Sequence, residues 1–272
     1  TDSVAWWLVC LSIVAAETST LTFISIPGLA YLTNLNFLQV TFGYLIGRIL
    51  VAKFLLPLYF QGELTTAYSY LERRFGSKTR KFASIVFLIT RTAADGVRLF
   101  ATAIPLKLLL NIEYPYAILI IASIALMYTF FGGLKGIIWV DALQMVIYIG
   151  GAIAAGIFII SSPNFSINQF FSPEMVDKLS VFNFGLNESI SNFFETPYTF
   201  LGGIIGGSFL SMASHGTDQL IVQRLLSTRS LKKAQKAIIG SGILIIIQFI
   251  IFLFLGLLLY AYFGYATVSN LG

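Results

Sequence analysis

Charge is what this sequence lacks most. Charged residues fill 11% of its 272 positions, where a soluble domain carries about 25% because its surface must face water. Hydrophobic residues make up 57%, and mean hydropathy is +0.85. Most of the surface must therefore face something apolar. Long apolar runs alternate with short charged clusters, which points to a bilayer rather than to one oversized core. Cysteine is nearly absent as well. The single Cys10 excludes an internal disulfide framework and a cysteine-rich metal site. The one histidine, His215, has no metal-ligand partner at any usual spacing. No initiator methionine and no signal-peptide pattern precede Thr1, and Asn270-Leu271-Gly272 follows an apolar run. The expectation is that both ends are cut and that the native protein is longer.

The net charge of +5 does not make a nucleic-acid partner, because the lysines and arginines sit in short loops with no basic face interleaved with aromatics. No nucleophile–base set, phosphate loop or metal cluster is present. Neither an enzyme nor an organic cofactor is expected.

A helix needs about 20 mostly apolar residues to cross a bilayer. About seven stretches qualify: 4–34, 36–59, 82–111, 114–131, 137–162, 197–214 and 238–266. Backbone in lipid must satisfy its own hydrogen bonds, and no stretch shows the alternation of a barrel strand, so the prediction is an all-α integral membrane protein. The loops set its orientation. Loop 60–81 holds Arg73, Arg74, Lys78, Arg80 and Lys81; loop 215–236 holds Arg224, Arg229, Lys232, Lys233 and Lys236; the 132–136 turn adds Lys135. Loop 163–196 has Lys178 alone among Glu174, Asp177, Glu188 and Glu195. Basic loops stay inside, so 60–81 and 215–236 are expected in the cytoplasm and 163–196 outside the cell (inner) membrane.

Charges inside spans are costly and mark function by default. Here they are Glu17, Arg48, Arg91, Asp95, Arg98 and Asp141, while Lys53 and Lys107 lie near helix ends and can snorkel. The first span reads Ala15-Ala16-Glu17-Thr18-Ser19-Thr20-Leu21-Thr22-Phe23-Ile24-Ser25-Ile26-Pro27-Gly28. Hydroxyls compete for backbone bonds and Pro27 removes one, which predicts a broken helix whose freed carbonyls face a cavity, as in ion and substrate sites of transporters. A kinked helix with hydroxyls bonded back to their own carbonyls is the alternative. Glu17 favours the break, because a carboxylate there needs a partner, a proton or a cation. Arg91, Asp95 and Arg98 share one helical face. They form either a self-neutralised triad or a pair that leaves one arginine for a substrate anion or for Glu17. In the sixth span, Gly202-Gly203 and Gly206-Gly207 mean close packing or a second interrupted helix. His215 is expected in a loop or gate at its inner end.

Four stretches together resemble the sodium:solute symporters, the group that includes bacterial sodium/sugar, sialic acid and proline transporters. They are the Glu17–Gly28 run, Ser69-Tyr70-Leu71-Glu72-Arg73-Arg74-Phe75-Gly76, Gly132-Gly133-Leu134-Lys135-Gly136-Ile137-Ile138-Trp139-Val140-Asp141-Ala142-Leu143-Gln144, and Asp218-Gln219-Leu220-Ile221-Val222-Gln223-Arg224. The resemblance covers essentially the whole chain. It implies a LeuT-like inverted-repeat fold, with residues 1–162 as the first five-helix repeat and 197–272 as the first two helices of the second. It also implies alternating access, with sodium as the co-transported ion and a small polar organic solute (sugar, sialic acid, amino acid or carboxylate) as cargo. The main sodium site would use the carbonyls of Ala15 and Thr18, and Asp141 would help hold a second sodium ion or cap its helix. Glu17, Ser19, Thr20 and Thr22 match pocket positions, and Ser211 and Ser214 match pocket and inner-gate positions. Sialic acid members bind the substrate carboxylate with an arginine where this chain has Ala94, flanked by Arg91 and Arg98. Pro27, Asp95, Gly202, Gly203 and His215 are expected to be structural or gating residues. A proton-coupled transporter of the same fold, or a transporter-like input domain of a sensor kinase, are the other readings. Oligomeric state is not readable from the sequence.

Overall fold

Long apolar runs become helices here because backbone groups without water must bond to each other. The computed structural model describes residues 3–61, 67–163, 165–185 and 196–263, and every regular element among them is helical. Residues 186–195 of the expected outer loop, with Glu188 and Glu195, and the end of the last expected span at 264–266 lie outside them.

The first run folds as two helices, α1 (Trp6–Glu17) and α2 (Thr20–Leu32), bent by 69°. The hinge is Thr18, in extended conformation at φ −81° and ψ 106°. The hydroxyls set it there. The Ser19 amide donates to Thr22 Oγ1 and the Thr22 amide donates to Ser19 Oγ, both at 3.4 Å. That reciprocal pair serves the amide donors that α2 would otherwise leave open at its start. Pro27 is not at the break; it lies inside α2. Its carbonyl faces a close neighbour, since a Cβ on Gly256 would fall 2.2 Å from Pro27 O.

Helix α3 (Leu38–Gln61) carries a π-helical turn at Val51–Leu55. Short α4 (Ala67–Phe75) occupies much of what reads in the sequence as a loop, and Gly76, at φ 86°, turns the chain into α5 (Ser77–Leu110). Asn111, in left-handed conformation, ends α5. Helix α6 (Tyr114–Ile160) is 47 residues long, or roughly 70 Å at 1.5 Å per residue, against about 30 Å of hydrocarbon. It is two helices meeting at Gly133 (φ 52°, ψ −157°). Then follow α7 (Pro173–Lys178), α8 (Phe200–Gly216), α9 (Gln219–Leu226) and α10 (Leu231–Phe263). By length and composition α3, α6 and α10 can each cross a membrane, and the bent α1–α2 pair makes a fourth candidate. Helix α5 interrupts its apolar run with Arg91, Asp95 and Arg98, and α8 has only 17 residues.

The chain divides into two units. The first comprises Thr1–Thr22, Arg48–Met145 and Met212–Ser241. Val9, Ile13, Val14, Leu56, Ile138, Val222, Leu225 and Ile238 form its buried core. The second comprises Phe23–Gly47, Val146–Ser211 and Gly242–Gly272. Its core is aromatic and aliphatic: Phe23 meets Phe252 edge-on at 5.3 Å, Phe37 stacks on Phe249 at 5.4 Å, and Leu253 and Leu257 fill around them. Lys178 closes the end of α2 by donating to Tyr31 O at 2.7 Å and Thr33 O at 3.0 Å, with its ammonium 4.3 Å from the Tyr260 ring. Burial holds its pKa below the usual lysine value.

The glycines of α8 do not interrupt it. Gly202 and Gly203 lie in its first turn, where Thr199 Oγ1 accepts from the Gly202 amide at 3.3 Å. Gly203 and Gly207 bring α8 against α3, where a Cβ on Gly43 would sit 2.4 Å from Gly203 O. Small residues let the two backbones touch, which is how helices gain contact in lipid. Gly43→Leu is therefore expected to force α3 and α8 apart, at a cost of about 1–3 kcal/mol or more. Thermal unfolding in detergent should show a lower midpoint for Gly43→Leu and an unchanged one for Gly151→Leu, since a Cβ on Gly151 has nothing within 4 Å.

Candidate functional site

Ending α1 at Glu17 has a chemical consequence. The Thr18 amide still bonds to Val14 O at 2.9 Å, but the carbonyls of Ala15, Ala16 and Glu17 have no further helical turn to accept from. Ala15 and Thr18 are themselves buried. The break thus presents carbonyl oxygens beside the hydroxyls of Ser19 and Thr22, a hard-donor set suited to a small cation. Thr20 turns to α5, its hydroxyl 3.0 Å from that of Thr102, which in turn donates to Arg98 O at 2.8 Å.

Glu17 itself is ion-paired with Arg48, which is fully buried in α3. The same guanidinium lies 2.9 Å from His215 Nε2 through Nη2 and donates to Ser241 Oγ at 3.2 Å through Nη1. Arginine only donates, so His215 Nε2 accepts and its proton sits on Nδ1, 2.8 Å from Ser214 Oγ. His215 Nε2 is also 3.5 Å from Glu17 Oε2. His215 is thus the buried end of α8 rather than a loop residue. Four helices, α1, α3, α8 and α10, meet on one carboxylate–guanidinium pair. Removing Glu17 would strand the buried guanidinium of Arg48, whereas Glu17 itself is only partly buried.

A second buried pair lies in the same unit. Asp141 Oδ2 accepts from Ser12 Oγ at 2.7 Å and from Arg224 at 2.9 Å (Nη2) and 3.3 Å (Nε). Arg224 also donates to Ser12 Oγ at 2.9 Å and to Leu220 O at 3.0 Å. Asp141 stands well past the Gly133 break, inside the helix, and its carboxylate points to α1 and α9 instead of capping a helix end.

On α5 the triad forms: Arg91 Nε donates to Asp95 at 2.9 Å, and Arg98 lies 3.7 Å from the same carboxylate. Arg91 also lies 3.6 Å from Asp218, the residue that caps α9. The self-neutralised triad is therefore the arrangement seen, and the alternative in which Arg91 or Arg98 reaches Glu17 gives way to the pairing with Arg48. Ser214 joins the Glu17 cluster through His215; Ser211, in the second unit, donates to Tyr44 O at 3.0 Å. Arg48, Ser12, Ser241 and Arg224 are the residues that sequence reasoning did not place in the site. Arg48 had a signal, being a cation inside a span with no local acid, as Glu17 was an acid with no local cation. Arg224 ended one of the stretches that carry the resemblance, but by charge alone it reads as one more basic residue of an inner loop, with nothing local to link it to Asp141.

A family model described as "Sodium:solute symporter family" matches residues 1–270. The chain is 28% identical over 258 residues to a sodium/sialic acid symporter of Proteus mirabilis, covering 94% of this chain and 51% of that protein. It is 27% identical over 256 residues to a sodium/glucose cotransporter of Vibrio parahaemolyticus, covering 92% and 47%. A solved structure of a sodium-coupled sialic acid symporter in a substrate-bound outward-open state superposes with a TM-score of 0.84 at 28% identity, covering 96% of this chain and 54% of that one. The chain thus spans about half the length of the curated relatives it matches.

The Asp141–Arg224 pair gives a direct test. Asp141→Asn leaves the guanidinium buried without its counter-charge and is expected to cost about 3–5 kcal/mol. The double substitution Asp141→Asn with Arg224→Met should recover part of that loss. Thermal unfolding of the single and double variants reads the coupling, and strictly additive losses would mean that the two side chains do not interact.

Proposed function

Because the chain belongs to the sodium:solute symporter family, a family of membrane transporters, we propose that it forms part of a secondary active transporter that carries a small polar organic solute together with sodium by alternating access. Multi-pass insertion follows from the family and from helices long and apolar enough to cross a bilayer. The observation that carries the proposal is the 69° break after Glu17, with the carbonyls at the end of α1 released beside Ser19 and Thr22. A sodium ion prefers several neutral oxygens at short range, and a continuous helix would offer none.

In this reading the carbonyls of Ala15 and Thr18 supply the protein's first-half ligands for sodium, and Asp141 assists a second ion while paired with Arg224. Ser19, Thr20, Thr22 and Ser214 supply hydroxyls toward the solute, with Glu17, Arg91 and Arg98 setting the charge around it. Residues 1–162 are the first five-helix repeat, and 197–214 and 238–266 open the second. The basic loops 60–81 and 215–236 face the cytoplasm, where anionic lipid and the positive-inside rule favour them, and 163–196 lies outside. Sodium binding favours one access state and raises solute affinity in it, by linkage.

A membrane potential of 100 mV supplies about 2.3 kcal/mol for each sodium ion moved inward, which for an uncharged solute is about fifty-fold accumulation. Proteoliposomes holding the full-length protein should accumulate solute when sodium and potential are applied together, and should fail to do so with potassium. Accumulation driven by a pH gradient without sodium would overturn the sodium assignment.

A further inference from the structure

We propose that the turn joining α4 to α5 is a docking surface for anionic phospholipid headgroups. Five basic residues fall within nine positions there: Arg73, Arg74, Lys78, Arg80 and Lys81. All five are exposed. The local acid, Glu72, is taken by Arg80 in an ion pair across the turn. Among the described residues Arg73, Arg74, Lys78 and Lys81 form no salt bridge, so four positive charges are presented outward around one tight bend.

The bend is built, not incidental. Gly76 adopts φ 86°, a conformation closed to most side chains. The Glu72–Arg80 pair ties the end of α4 to the first turn of α5, and Tyr68 sits 5.8 Å from the ring of Phe87, holding α4 back along α5. Two arginines on one arm and two lysines on the other are thereby brought to a single surface. Guanidinium groups give forked donation to phosphate oxygens, and ammonium groups add point charge.

What selects a lipid over a soluble anion is the apolar surface that begins at the same place. Phe75 is 60% exposed and Phe82 is 70% exposed. Ile85, Leu88 and Ile89 continue the exposed apolar row along α5. Aromatic rings with basic residues at the start of a long apolar face match the headgroup level of a bilayer, where rings sit at the interface and long cationic side chains reach the phosphates. Basic clusters beside a membrane helix attract anionic lipid for this reason. The inference is independent of which solute is carried and of which ion drives it.

Native mass spectrometry of the full-length protein in detergent tests it, with phosphatidylglycerol and phosphatidylcholine supplied in equal amounts as probes. The natural sequence should retain phosphatidylglycerol over phosphatidylcholine by roughly fivefold or more, an order expected from several charges at one surface. R73Q/R74Q/K78Q/K81Q should bring the two lipids near parity, whereas K232Q/K233Q/K236Q, which removes charge from the other basic loop, should keep the preference. If the fourfold variant does not fold, R73Q/R74Q and K78Q/K81Q should each lose part of it. Parity in the natural sequence, equal loss in both loop variants, or full displacement of the lipid by inorganic phosphate would overturn the proposal.

Discussion

The pair between Glu17 and Arg48 is the interaction on which the described architecture of the first unit turns. A carboxylate at the end of a broken helix in an apolar environment is tolerable only with a counter-charge and with its other donors and acceptors served. Arg48 provides the charge, His215 Nε2 lies 3.5 Å from the same carboxylate oxygen, and Ser241 accepts from Arg48 Nη1, while buried Arg48 Nε has no hydrogen-bond partner among the described residues. The cluster therefore fixes where α1 stops, which face α3 turns inward, and how the end of α8 sits. One buried ion pair replaces the continuous ladder that the break removes.

The same economy recurs within that unit. Asp141 and Arg224 hold α1, α6 and α9 through Ser12, while Asp95 gathers Arg91 and Arg98 on α5. Four arginines meet carboxylates within this unit: Arg48 with Glu17, Arg91 with Asp95 and Asp218, Arg98 with Asp95, and Arg224 with Asp141. Charge is scarce in the chain, and each of these acids in the apolar helices is matched by an arginine, whereas Lys53 and Lys107 lie over the rings of Phe54 and Tyr114. The second unit is held differently, by ring contacts and by glycine-mediated approach of backbones at Gly43, Gly203, Gly207 and Gly256. Both devices suit a protein that has no hydrophobic drive between its helices in lipid.

Much of this was legible in the amino-acid order, and the reasons differ by feature. The apolar runs announced helices because a bilayer leaves the backbone no other choice. The hydroxyl run around Glu17 announced a break because Ser and Thr compete for backbone bonds, and the reciprocal bonds between Ser19 and Thr22 are that competition carried out. The break falls within that hydroxyl run, at Thr18, while Pro27, well inside α2, only removes a single bond. Gly202 and Gly203 read either as close packing or as an interruption, and the helix is continuous there, with Gly203 packed against α3 and Gly202 against Thr199. The partner of Glu17 was hidden for a different reason. Arg91 and Arg98 were near each other in sequence and near Asp95, and periodicity rewards such local pairs, whereas Arg48 reaches Glu17 only through the tertiary path of α3.

The pairing of Glu17 also limits what it contributes to ion binding in the proposed transport cycle. A carboxylate whose charge is balanced by a buried guanidinium cannot also supply full attraction to a sodium ion without first losing that guanidinium. Stripping Arg48 of its counter-charge would cost several kcal/mol, more than the roughly 2.3 kcal/mol that a 100 mV potential gives one ion. Attraction at the break must then come chiefly from dipoles: the carbonyls at the end of α1, aligned with the negative pole of that helix, and the hydroxyls beside them. Glu17 and Arg48 act as the scaffold that keeps those dipoles turned outward from the helix, and the negative end of α1 replaces the charge that the carboxylate has already committed.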